Sequence, residues 1–249
     1  MSGHSKWATI RRKKGKADAE RGKIFTHLIK EITIAAREGG GDPEGNPRLR
    51  TAIASAKASN MPADNIKRGI LKGTGELPGV TYESIVYEGY GPAGSALYME
   101  VLTDNKNRTV AEIRHHLTKY GGNLGSNGCV AWMFEKTGVI VVDMDATDEE
   151  TLMEVAMESG AQDIISDSGS FEVIFAPADI ENVRSAIEAK GIPMVSTEVI
   201  MRPTNTVKIE KENEASSMLK LYDLLEDHED IQKVYSNFDI DSSLLEKLA

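Results

Sequence analysis

A single cysteine, Cys129, stands in a chain of 249 residues. One thiol cannot build a disulfide framework, and with no secretory signal at the N-terminus a reducing cytoplasm is the expected compartment. The opening MSGHSKWATIRRKKGKADAERGK has no apolar h-region; its basic, acid-poor start only mimics a mitochondrial presequence. No apolar run approaches the roughly 20 residues that a spanning helix needs, so a soluble chain with no membrane partner is expected. Catalytic signatures are missing too. There is no Walker loop, C-x-x-C pair, H-E-x-x-H or G-x-S-x-G. His4, His27, His115, His116 and His228 are scattered, and neighbours such as His115 and His116 point to different faces of a helix. Cys129 lies among Gly128, Val130 and Ala131 with no activating cation beside it, and reads as a small buried thiol. The expectation is a protein that is not an enzyme and needs no cofactor and no metal.

What is present is an ordinary globular composition, 40% apolar and 27% charged, in a mass of 27.2 kDa. That is enough chain to bury a core without staples. The charge is unevenly divided. Residues 1–73 hold 16 Lys/Arg and 7 Asp/Glu, whereas the rest holds 13 and 32. A chain pI near 5.1 therefore describes neither half, and the local field of the basic part governs binding to polyanions. Its densest stretch is Lys6, Arg11, Arg12, Lys13, Lys14, Lys16, Arg21 and Lys23, with one aromatic, Trp7. Such a run repels itself, so Ser2 to Gly15 is expected to be extended or poorly ordered without a partner. It serves either as a solvated tail or as a phosphate-binding arm that releases counterions on binding. Trp7 could stack on a base or pack against the following helix.

From Gly22 the pattern is helical. Phe25, Leu28, Ile29, Ile32 and Ala36 share a face until Gly39-Gly40-Gly41. Asn46 as cap with Pro47 at the first helical position announces a second helix, with Leu49, Ala52, Ile53 and Ala56 inward. A third begins near Pro62 and turns Ile66, Ile70 and Leu71 inward before Gly73. Three short amphipathic helices should pack as a bundle with Lys/Arg outside. Thr74 to Val80 is a linker.

Beyond it the period becomes that of strands, Tyr82–Tyr87 and Ala96–Leu102. They are joined by Gly89-Tyr90-Gly91-Pro92-Ala93-Gly94, which matches G-x-G-x-x-G. A strand and not a helix follows, so a hairpin loop is expected rather than a nucleotide site. A helix capped by Thr109 with Glu112 buries Val110, Ile113 and Leu117, and ends at Gly121-Gly122. From Trp132 the order is strand, helix (capped by Thr147 with Glu150), strand, strand, helix, strand. This is the βαββαβ order of ferredoxin-like domains. Asp143 and Asp145, followed by Asp148, Glu149 and Glu150, could attract a divalent ion, but more simply they decorate a turn and favour a helix N-terminus. A helix through Ala215 to Leu225 and a strand near Ile231–Phe238 close the chain. The pieces flanking the βαββαβ unit are incomplete alone and complete together. The predicted fold is therefore α+β, an N-terminal three-helix module followed by two ferredoxin-like α/β sandwich domains, one inserted into the other. The domains are 1–76, a discontinuous middle domain of 77–130 plus 204–249, and the inserted 131–203.

Two loops remain as candidates. Gly122-Asn123-Leu124-Gly125 has the G-x-x-G form of a KH clamp, or else is a plain helix-to-strand connection. Asp104-Asn105-Lys106-Asn107-Arg108-Thr109 crowds polar and cationic groups at a strand-to-helix junction, and is otherwise a capped turn.

The sequence resembles the YebC family of probable transcriptional regulatory proteins. The likeness rests on Gly3-His4-Ser5-Lys6-Trp7, Arg21-Gly22-Lys23-Ile24-Phe25, Gly40-Gly41-Asp42-Pro43 with Asn46-Pro47-Arg48-Leu49-Arg50, Tyr87-Glu88-Gly89-Tyr90-Gly91-Pro92, Asn107-Arg108-Thr109 and Gly121-Gly122-Asn123-Leu124-Gly125. The resemblance implies a three-domain α+β protein of the bacterial cytoplasm, with DNA binding and transcriptional control as the traditional role. It also implies kinship with mitochondrial translational activators and with bacterial members that help ribosomes through consecutive prolines. Because it begins at Gly3, it leaves no room for a presequence.

The leading expectation is a nucleic-acid-binding regulator that takes DNA, ribosomal RNA or both, with a protein of the ribosome or of the transcription machinery as a further partner. The alternatives are a ribosome-associated translation factor and a ligand-sensing or catalytic protein. The nucleic-acid contacts are expected from Lys6, Trp7, Arg11, Arg12, Lys13, Lys14, Lys16, Arg21, Lys23, Arg48, Arg50, Asn107 and Arg108.

Overall fold

A computed structural model of the chain describes residues 17–79, 81–167 and 169–248. These residues form two compact units, one of 17–130 with 210–234 and one of 131–209 with 235–248.

The first unit opens with three helices, α1 (Ala17–Gly39), α2 (Pro47–Ala58) and α3 (Ala63–Gly73). Ile32, Ala35, Leu49, Ala52, Ala56 and Ile66 form their shared core, as the inward stripes predict. Asn46 is buried and serves two helices at once. Its amide nitrogen donates to the carbonyls of Ala35 and Gly40 at 2.8 and 2.9 Å, ending α1, and its amide oxygen accepts from the Leu49 N–H at 3.1 Å, starting α2. At Gly73 a Cβ would stand 2.4 Å from the Thr33 carbonyl oxygen, so the end of α3 meets the backbone of α1 at a spacing only glycine allows.

β1 (Glu83–Tyr90) and β2 (Ala96–Thr103) form an antiparallel hairpin with Glu83 opposite Thr103 and Tyr90 opposite Ala96. The glycine-rich segment is its turn, one tight helical turn at Pro92–Gly94 in which Ala93 takes φ 57°. α4 (Lys106–Lys119) follows, and β3 (Asn123–Leu124) pairs with Gly89 and Tyr90 of β1. Asn123 and Leu124 are thus strand residues, and Gly122–Gly125 is not the open loop that a backbone clamp requires. The cap of α4 also differs from expectation. Asn105, not Thr109, accepts the capping bond, from the Arg108 N–H at 3.1 Å, and Thr109 is buried in the first turn.

The second unit carries β4 (Phe134–Asp143), α5 (Glu149–Glu158), β5 (Ala161–Asp167), β6 (Ser170–Phe175), α6 (Ile180–Ala189) and β7 (Ser196–Pro203). The strand order β5-β6-β4-β7, antiparallel throughout, is the ferredoxin-like arrangement. Asp148 caps α5 in place of the expected Thr147, accepting from the Thr151 N–H at 2.8 Å. In both helices the stronger cap, Asn or Asp, prevails over a nearby threonine. The core is Ile140, Val142, Leu152, Phe171, Val173, Phe175, Val183 and Ile187. Gly138 of β4 faces Phe175 of β6, and a Cβ there would lie 2.1 Å from the buried ring. Gly138→Ala is expected to cost about 1–3 kcal/mol through overpacking, read as a lower urea midpoint at unchanged slope.

β8 (Val207–Lys208) pairs in parallel with β10 (Phe238–Asp239), and α8 (Ser242–Leu248) ends the chain's described part. Between them α7 (Glu212–Glu226) and β9 (Ile231–Ser236) return to the first unit, whose sheet order is β3-β1-β2-β9. α7 turns Ala215, Met218, Leu219, Tyr222 and Leu225 inward, and the Tyr222 hydroxyl donates to the Val234 carbonyl at 3.1 Å. That sheet is therefore built from chain on both sides of the insertion.

Candidate nucleic-acid interface

Seven of the expected contact residues, Lys6, Trp7, Arg11, Arg12, Lys13, Lys14 and Lys16, lie outside the described residues, as does the expected extended course of Ser2 to Gly15. Arg21 belongs to α1. Lys23 reaches Asp227 at 2.9 Å. Arg48 is held by two carboxylates, with Nε 2.7 Å from Glu31 and Nη1 2.6 Å from Glu38. Arg50 is exposed and its Nη1 leans on the carbonyls of Pro43 and Glu44 at 3.3 and 3.5 Å. Asn107 is exposed in the first turn of α4. Arg108 donates through Nη2 to Asp104 at 2.9 Å and to Asp230 at 2.8 Å.

Asp230 organises the most polar part of the first unit. It is 3% exposed at the entry to β9. One carboxylate oxygen accepts from Lys30 Nζ at 2.7 Å, and the other accepts from Thr109 Oγ1 at 2.7 Å, Arg108 Nη2 at 2.8 Å and Thr103 Oγ1 at 3.1 Å. Lys30, itself buried on α1, also donates to the Glu229 carbonyl at 2.8 Å. Burial alone would raise the Asp230 pKa, but hydrogen bonds from Arg108, Lys30 and Thr109 outweigh it and hold the carboxyl well below the usual range. Arg108 is correspondingly raised, first by its hydrogen bonds to Asp230 and Asp104. The cluster ties α1, the end of β2, the start of α4 and the turn before β9 to one another. Its chemistry is that of an internal joint, because its cations already face a carboxylate.

A different set of cations is free to meet an outside anion. Lys57 at the end of α2, with Lys67, Arg68 and Lys72 on α3, is exposed, and none of the four forms an ion pair among the described residues. Arg68 and Lys72 stand one turn apart on α3. Ala54, Ser55 and Ala58 leave the neighbouring face of α2 low and exposed. Sequence reasoning put lysines and arginines outside the bundle but named Arg48, Arg50, Asn107 and Arg108 as contacts rather than these four; the pairing of Arg48 with Glu31 and Glu38 and of Arg108 with Asp104 and Asp230 is not visible in the sequence.

The signature around Glu88 has a structural role. This buried carboxylate accepts the N–H groups of Gly128 and Val130 at 2.7 and 2.8 Å, while the Tyr90 hydroxyl donates to the Cys129 carbonyl at 3.0 Å. Burial, then the Glu88 charge, pushes the half-buried Cys129 thiol up, away from reactivity. Among the described residues no three His, Cys, Asp or Glu side chains are grouped to hold a metal ion, and no helix is long and apolar enough to cross a membrane.

Residues 5–76 match the TACO1/YebC protein N-terminal domain, and residues 82–238 match the TACO1/YebC second and third domain. The chain belongs to the TACO1/YebC family. Similar to this family member is a protein of Desulfotalea psychrophila named a probable transcriptional regulatory protein, 57% identical over 249 residues and covering 100% of both chains. A protein of Geobacter sulfurreducens with the same kind of name is 57% identical over 248 residues, again covering 100% of both. Among solved structures, a conserved hypothetical protein of Aquifex aeolicus aligns with a TM-score of 0.82 and 45% identity over 90% of this chain and 93% of that one.

Proposed function

We propose that the chain is a cytoplasmic, non-enzymatic regulator of gene expression that grips nucleic acid through its basic N-terminal part. The observation that carries this reading is the separation of charge, with Lys57, Lys67, Arg68 and Lys72 exposed and in no ion pair among the described residues while the sequence beyond the helical module is strongly acidic. The names of the relatives, probable transcriptional regulatory proteins, support the regulatory part. On this reading the module within 1–76 supplies phosphate contacts. The middle domain of 77–130 plus 204–249 and the inserted 131–203 orient it or recruit a protein partner. Arg50 and Asn107 stay available as contacts, and the arm from Lys6 to Lys16 adds its own. Arg48 pairs within the module, with Glu31 and Glu38, and Arg108 pairs outside it, with Asp104 and Asp230.

Phosphate contacts fix position and salt dependence but carry no base information, so duplex DNA and structured ribosomal RNA are both fair targets for these cations. The test is binding of the full chain to a promoter duplex, a random duplex and a ribosomal RNA fragment across a salt series. Replacing Lys57, Lys67, Arg68 and Lys72 by Gln is expected to flatten the log–log salt slope by about 3–4 on duplex DNA. An unchanged slope, together with unchanged binding after Lys13→Ala and Lys14→Ala, would remove the proposal. Preference for promoter DNA supports transcriptional control. Preference for the RNA fragment supports a translation factor working on the ribosome.

A further inference from the structure

The second unit is acidic. Its residues 131–209 and 235–249 hold 18 Asp/Glu and 6 Lys/Arg, a net negative charge that favours a cationic partner over a polyanion. Within it, α5 is distinct. Leu152, Val155 and Ala156 face the core, whereas Met153 and Met157, one turn apart, are 43% and 49% exposed. They are two of only a few large apolar side chains exposed among the described residues. The helix contains Glu149, Glu150, Glu154 and Glu158 and no cation. Glu150, Glu154 and Glu158 are exposed and form no ion pair among the described residues, while Glu149 accepts from Ser166 Oγ at 3.2 Å. α6 of the same unit shows the contrast, since Arg184 bridges Glu181 and Glu188 there at 2.8 and 3.2 Å.

We infer that the outer face of α5 is a docking surface for a protein segment that forms a basic amphipathic helix. Apolar side chains of the partner would cover Met153 and Met157, and its lysines or arginines would meet Glu150, Glu154 and Glu158. Methionine suits such a surface because its flexible thioether adapts to different apolar shapes. The bordering carboxylates select a cationic partner and repel an acidic one. α5 bears no cation that would neutralise them internally, so charge complementarity is left for the partner to satisfy. The surface would let the acidic unit hold a protein while the basic module holds nucleic acid.

The probe is a synthetic helical peptide of about 16 residues with leucines on one face and lysines on the other. It is titrated into the full chain while anisotropy and the methyl signals of labelled methionine are followed. Binding is expected to move the Met153 and Met157 methyl signals and to weaken with salt. The pair Met153→Ser and Met157→Ser, both exposed and harmless to the core, is expected to weaken it by about tenfold. Glu150→Gln, Glu154→Gln and Glu158→Gln together are expected to weaken it by a similar factor, and a peptide of equal charge with serine for leucine should bind no better than the variants do. Unchanged peptide affinity in the methionine variant, or methyl shifts confined to other methionines, would overturn the inference. So would a concentration-dependent dimer abolished by Met153→Ser and Met157→Ser, because the occupant would then be a second copy of this chain.

Discussion

Asp230→Asn is expected to lower the stability of the first unit by about 3–5 kcal/mol, because it leaves the Lys30 ammonium buried without its carboxylate. On thermal unfolding of the full chain this corresponds to a fall on the order of 10 °C. The side chains of Lys30 and Asp230 are 8% and 4% exposed, so solvent screens little of the loss. Lys30→Met should also destabilise, and a cycle of the two single variants and the double variant should report coupling of about 1–3 kcal/mol. The pH dependence has a definite sign. A carboxyl whose folded pKa is depressed contributes fully above its unfolded value, near pH 4, and the contribution drains as the pH falls toward the folded value. The gap between wild type and Asp230→Asn should therefore be level at neutral pH and close under acid. A gap below about 1 kcal/mol at pH 7 would show that Arg108 and the threonines hold the joint without the carboxylate charge.

Glu88→Ala is expected to cost about 2–4 kcal/mol, since it strips the acceptor from two backbone N–H groups, one of them on the fully buried Val130. Glu88→Gln keeps one acceptor oxygen and should fall between. The sharper readout is local. Amide exchange at Gly128 and Val130 should speed up by roughly a hundredfold in Glu88→Ala, with little change in the helical module. Exchange unaltered at both amides would mean that the segment is held by other contacts, such as the Tyr90 hydroxyl on the Cys129 carbonyl.

Much of the architecture was legible in the sequence because it is set by short-range pattern. Asn46 with Pro47, the repeating inward stripe of each helix, the turn at Pro92–Gly94 and each single element of the βαββαβ unit are written in short stretches of chain. The insertion was legible from incompleteness, since neither flanking piece covers its own sheet. Local ambiguity accounts for the two misplaced caps, where Asn105 and Asp148 lie close to the threonines expected in their place. The Asp230 joint was hidden for another reason. Its partners Lys30, Thr103, Arg108 and Thr109 are 200, 127, 122 and 121 residues away in sequence, and no periodicity encodes such meetings. One trace was available in α1, where Ile32 through Ala36 are buried without interruption. A helix apolar on all sides announces a second neighbour beyond its own bundle. The candidate interface suffered from the same blindness, because counting cations cannot tell Arg48, enclosed by Glu31 and Glu38, from Lys67, which has no partner among the described residues.

The return of the chain to its first sheet sets an order of events during synthesis. Lys30 is made early and waits for Asp230, and β2 waits for β9 as its neighbour, until nearly the whole polypeptide has been translated. Domains generally fold as they emerge from the N-terminus. Here the inserted βαββαβ element is complete before its host is, so a nascent chain arrested in the α7 region would carry one finished unit and one whose β2 edge is still unpaired.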